Sequence, residues 1–156
     1  MFFIRKCSVM PLVLCALFSM FLLAAGPPAF AEGIVAIVNA ANDVSDLSLS
    51  DLKSIYLMKK KKWPNGRDIT AWLPPSKGDE MKSLLTNAVK IHDESDLKKY
   101  YLTAIFQQQI TTIPASAVDS TDAAGKVAGY EGGLAIVKES EILGSPGIKI
   151  IRVSGL

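Results

Sequence analysis

From Leu47 to Gly78 the chain reads LSLSDLKSIYLMKKKKWPNGRDITAWLPPSKG, and this order leaves few folds open. Ser48 can cap a helix, with Asp51 three residues on to complete a capping box. Leu49, Leu52, Ile55 and Tyr56 then fall on one helical face. Lys59 to Lys62 end the helix, where cations suit the C-terminal end of its dipole. Pro64-Asn65-Gly66 is a turn. Ile69 to Leu73 reads as a strand stopped by Pro74 and Pro75. Ser76 can cap a second helix, with Asp79 and Glu80 in a first turn that favours anions.

The flanking segments extend this alternation. Ile34 to Val38 is a continuous apolar run, which predicts a buried parallel strand covered on both faces. Met81, Leu84, Leu85, Ala88 and Val89 share one helical stripe. A third helix starts near Ser95, with Leu97, Tyr100, Tyr101, Ala104 and Ile105 inward. Gln107 to Ser116 is a polar loop. Ser120 or Thr121 can cap a fourth helix that turns Ala124, Val127 and Ala128 inward. Leu134 to Val137 and Ile148 to Val153 are the last strands. The order β-α-β-α-α-α-β-β predicts an α/β fold, a mainly parallel sheet with helices on its faces.

The N-terminal segment reads as a targeting signal. Arg5 and Lys6 precede an apolar run from Cys7 to Ala25, Gly26-Pro27-Pro28 breaks it, and Ala29-Phe30-Ala31 is a small-x-small cleavage site. Residues 1–31 are therefore expected to be a cleaved signal peptide. Residues 32–156 are expected to form one domain, periplasmic or secreted, with no stable membrane insertion after cleavage. Both cysteines, Cys7 and Cys15, lie in the signal, so the remainder offers no disulfide, thiol nucleophile or thiolate metal site. The chain has 17 Lys and Arg against 15 Asp and Glu, and setting Arg5 and Lys6 aside makes the counts equal. Nothing in that balance points to nucleic acid.

Taken in order, several segments carry a resemblance: the Val/Ile strand and Asn loop of Ile34 to Asn42, the Leu-Ser helix of Leu47 to Lys59 with its Ile55-Tyr56 ending, and the Lys62-Trp63 turn. Phe106 to Pro114 and the Gly132-Gly133-Leu134-Ala135-Ile136-Val137 run continue it. Together they resemble the phosphate-binding proteins that feed ABC importers, in the periplasmic-binding-protein-like family. The resemblance implies a fold like one lobe of a type II periplasmic binding protein. It implies an exported, non-catalytic module that binds phosphate or a related oxyanion for an ABC importer or sensor. An ABC permease, a sensor or another envelope protein is the implied partner. The alternative is an envelope protein-interaction module on the same lobe, without ligand binding. Two departures bear on the choice. The chain is about one lobe long where the family has two. The family's Arg and Ser-Gly-Thr anion grip is replaced by Leu73-Pro74-Pro75-Ser76-Lys77-Gly78-Asp79.

Ser76, Lys77 and Gly78 are the candidate ligand-binding residues. A helix N-terminus offers free N–H groups, Ser76 a hydroxyl, Lys77 a charge, and Gly78 a close backbone approach. The competing use is a plain serine cap with acidic first-turn residues, and Asp79 and Glu80 favour it by repelling an anion. Lys59 to Lys62 read as a solvated helix end, and Trp63 and Trp72 as packing residues. His92 stands in a surface linker beside Asp93 and Glu94. One histidine without cysteines makes no standard zinc site, and no Ser-His-acid set or Gly-x-Ser-x-Gly is present. No catalytic residue, metal site or cofactor is expected.

Overall fold

The computed structural model of the protein describes residues 33–156; the expected signal peptide lies outside them. Strand β1 (Ile34–Asn39) leads to helix α1 (Leu49–Tyr56), and β2 (Thr70–Trp72) to α2 (Asp79–Ser83). Helix α2 continues in a π-helical turn, Leu84–Val89, which ends on Lys90 in the left-handed conformation. Helices α3 (Glu94–Phe106) and α4 (Ser120–Gly129) precede β3 (Gly133–Lys138) and β4 (Ile148–Ile151).

The four strands form one sheet in the order β2-β3-β1-β4. Strand β1 pairs antiparallel with β3, Ile34 facing Lys138 and Val38 facing Leu134, and antiparallel with β4, Asn39 facing Ile148. Only β2 and β3 run parallel. The expectation of a mainly parallel sheet is thus overturned: β1 runs against both of its neighbours, β3 and β4, and the chain first departs from the β1 direction between α1 and β2. Helix α1 rises only about 12 Å, short of the roughly 20 Å of a six-residue strand. The Pro64-Asn65-Gly66 turn then reverses the chain once more. It closes an antiparallel bridge between Lys62 and Asp68, with the Trp63 N–H donating to the Arg67 carbonyl at 2.8 Å. The extra reversal sends β2 opposite to β1.

The apolar run of β1 is buried on both faces, as its composition predicts. Ala36 and Val38 join Leu134 and Ile136 under α1, α2 and α3, while Val35 and Ile37 join Ala135 and Val137 under α4. Two buried tyrosines tie the first layer together. The Tyr56 hydroxyl donates to the Trp72 carbonyl at 3.1 Å, and Tyr101 donates to the Tyr56 carbonyl at 2.6 Å. Burial pushes both phenols well above the usual tyrosine range, so they stay neutral donors.

The helix starts follow local chemistry, with three corrections. The Ser48–Asp51 capping box forms on α1. Helix α3 starts at Glu94, because Asp93 accepts the Asp96 N–H, and α4 is capped by Asp119, which accepts the Asp122 N–H. Ser120 lies inside the first turn of α4 and is buried. Ser76 caps nothing: the N-cap of α2 is Gly78, which offers no side-chain hydrogen bond. At α4 an aspartate with extended backbone takes the cap that Ser120 or Thr121 was expected to hold, and at α3 Asp93 caps a helix expected to start near Ser95.

Candidate functional site

Pro74 and Pro75 end β2, and the next residues form a tight turn in which the Gly78 N–H donates to the Pro75 carbonyl at 3.2 Å. Lys77 sits in the third position of that turn with φ of 64°. This left-handed conformation costs a residue with a Cβ about 1 kcal/mol or more. The strain aims two donors the same way. The Ser76 hydroxyl donates to Glu94 Oε2 at 2.7 Å, and the Lys77 N–H donates to Glu94 Oε1 at 2.7 Å. One carboxylate thus fills the loop, one oxygen per donor. The Ser76 hydroxyl first, then the Lys77 N–H, holds the Glu94 carboxyl below the usual glutamate range. Glu94 is the first residue of α3, so the anchor comes from a separate element.

Gly78 serves a different neighbour. A Cβ there would lie 2.6 Å from Glu80 Oε2, so the bare backbone makes room for that carboxylate. Glu80 is 4% exposed and accepts a hydrogen bond from the Ser120 hydroxyl at 3.3 Å. Asp79 stays outside, near Lys82 at 3.3 Å and Lys138 at 3.8 Å. The start of α2 therefore already carries two carboxylates. Ser76 and Lys77 converge on one point; Gly78 does not reach it. The residue that sequence reasoning missed is Glu94. Its contact spans 18 positions and crosses from a loop to a later helix, so no local pattern announces it.

The tryptophans take the packing roles expected of them, whereas Lys59 to Lys62 lie past the end of α1, whose last turn carries Lys53 instead. Trp63 and Trp72 are buried, with the Trp63 indole N–H donating to the Gly132 carbonyl at 3.1 Å. Within the lysine run, Lys60 pairs with Asp51 at 2.7 Å and Lys62 with Asp68 at 3.0 Å. His92 is exposed. Among the described residues no three His, Cys, Asp or Glu side chains gather as metal ligands, and no helix is long and apolar enough to cross a membrane.

No protein-family model matches the chain, and no curated protein matches it. Solved structures do. One is described as a phosphate ABC transporter substrate-binding protein of Clostridium perfringens with phosphate bound; it superposes with a TM-score of 0.58 at 20% identity, over 80% of this chain and 46% of that one. An ABC-type phosphate transport receptor from Vibrio cholerae gives 0.55 at 12% identity, over 78% and 46%. PstS from Borrelia burgdorferi gives 0.59 at 11% identity, over 78% and 47%. The chain shares its fold with part of each of these proteins, and it spans less than half the length of each.

Proposed function

We propose that this chain is a non-catalytic binding lobe of the solute-binding type, exported by residues 1–31 and acting in the cell envelope as the single domain of residues 32–156. Its oxyanion loop is occupied by its own Glu94. One observation carries the reading: the Ser76 hydroxyl and the Lys77 N–H each hold one oxygen of the same carboxylate. Those are the donors that an external phosphate or related oxyanion needs, and Glu94 competes for them. The fold shared with phosphate-binding proteins supports the ligand class, and an ABC permease or sensor is the partner class that goes with it. Free phosphate is expected to bind weakly, because it must displace a tethered carboxylate and face Asp79 and Glu80.

The test is calorimetric titration of the purified protein and of Glu94→Gln with inorganic phosphate. The amide keeps the side chain's size, removes its charge and weakens its hold on both donors. The variant is expected to bind phosphate about tenfold more tightly than the parent, the equivalent of one charge-assisted hydrogen bond. A folded variant that takes up no phosphate at millimolar concentration refutes the oxyanion reading. The second reading, a lobe that docks an envelope protein and uses Glu94 as a permanent seal, is favoured by the two carboxylates already at the start of α2. It is the reading left standing by that result.

A further inference from the structure

Strand β2 lies at the edge of the sheet, and its outer side is covered only in part. Towards its start, the Ile69 N–H donates to the Lys61 carbonyl at 2.8 Å. Past its end, the Leu73 N–H donates to the Ala115 carbonyl at 2.8 Å, and the Leu73 carbonyl accepts the Ala117 N–H at 2.8 Å. Ala71 stands between these closures. The Thr70 N–H donates inward to the Gly132 carbonyl at 3.0 Å, so strand alternation turns the peptide groups of Ala71 outward. Neither group has a hydrogen-bond partner among the described residues. A cavity of about 240 Å³ opens over this residue, walled by Lys61, Thr70, Thr112, Ile113 and Pro114. Unpaired donors and acceptors on an edge strand are a template for another chain.

We propose that this gap binds the carboxy-terminal residue of a partner polypeptide. The terminal residue's N–H donates to the Ala71 carbonyl, and one carboxylate oxygen accepts the Ala71 N–H, as in one hydrogen-bonded pair of an antiparallel ladder. The Lys61 ammonium neutralises the carboxylate; Lys61 is exposed, and no salt bridge engages it among the described residues. Ile113, which is 51% exposed, and Pro114 supply an apolar wall for the last side chain. The closures at Lys61 and Ala115 select a chain end. A strand running through would meet backbone on both flanks, whereas a chain that stops at Ala71 needs an exit in one direction only. No residue of this cavity belongs to the Ser76–Gly78 loop, so the site is independent of Glu94.

Three ligands separate the possibilities: an N-acetylated tetrapeptide ending in leucine with a free carboxylate, the same peptide as its C-terminal amide, and N-acetylleucine. The Ala71 N–H is followed by nitrogen–proton NMR during each titration, in the parent protein and in Lys61→Ala. The free-acid peptide is expected to shift the Ala71 signal and to bind about tenfold more tightly than the amide, with Lys61→Ala removing that advantage. Equal affinity of acid and amide overturns the proposal, as does an Ala71 signal unmoved at millimolar peptide. Binding of N-acetylleucine as tight as that of the peptide assigns the gap to a small carboxylate and overturns the polypeptide as occupant.

Discussion

Gly132→Ala should be among the most damaging single-methyl changes in this protein. A Cβ on residue 132 would lie 1.9 Å from the Asp68 carbonyl oxygen. An ordinary carbon–oxygen contact is about 3.3 Å, so the two backbones must part by about 1.4 Å. Both hydrogen bonds to the Gly132 carbonyl, from Thr70 N–H at 3.0 Å and Trp63 Nε1 at 3.1 Å, then exceed bonding range. Each is worth about 1 kcal/mol, and the Trp63 indole, 2% exposed, keeps an orphaned donor that costs about 1–3 kcal/mol. The lost Thr70 bond and the orphaned indole together cost about 2–4 kcal/mol, a large share of the roughly 5–15 kcal/mol that holds a domain together. The expected fall in melting temperature is about 10–20 °C. Circular dichroism melts, with tryptophan fluorescence to follow Trp63, provide the measurement. Gly125→Ala is the control. No atom lies within 4 Å of its Cβ position, and in a helix interior the methyl should stabilise by about 0.5–1 kcal/mol. A Gly132→Ala protein that loses less than about 1 kcal/mol, with its Trp63 emission unchanged, would refute the close-packing argument.

Leu84, 0% exposed in the layer under β1 and β3, should lose about 2–5 kcal/mol on truncation to alanine in urea unfolding; Leu102→Ala, at a residue 64% exposed, should stay within about 0.5 kcal/mol. Asp51 gives a pH dependence: the Lys60 ammonium first, then the Ser48 hydroxyl, lowers its carboxyl to about 2, so its stabilisation is complete above the unfolded value of about 3.9 and is lost as pH falls through the folded one. The stability gap between the parent and Asp51→Asn is therefore expected to be constant above about pH 5 and to shrink towards pH 2; a gap that persists undiminished at pH 2 contradicts the assignment.

Local rules read the elements of this chain well and its long-range geometry poorly. The α1 capping box, the α2 stripe and the two-sided burial of β1 are all decided within a few residues, by side-chain period and cap chemistry. Strand direction is decided elsewhere. The reversal at Pro64-Asn65-Gly66 is visible as a turn. What it does to the sheet depends on where β2 lands, and β2 lands against β3, formed more than sixty residues later. Alternation of strand and helix could not carry that information. Cap identity failed for a smaller reason. Asp119 adopts extended backbone, with φ of −152°, and an aspartate in that conformation competes for the cap with the Ser120 that follows it; Asp93, with φ of −151°, likewise starts α3 one residue ahead of Ser95.

The loop at Ser76 shows why a site can be half legible. Its donors are local: a proline-terminated strand, a tight turn and a strained Lys77 present a hydroxyl and an N–H together, and the sequence around residues 74–78 specifies all three. What those donors hold is not local, because Glu94 arrives from the first turn of α3. An internal carboxylate and an external oxyanion satisfy the same two donors with the same geometry. They differ in translational entropy, which the tethered group has already lost, and in exchangeability, which only the free ligand has. Removing the charge at residue 94 leaves the loop's turn intact while loosening its partner's hold on both donors. That single change separates a binding site held closed by its own chain from a turn that is only a structural join.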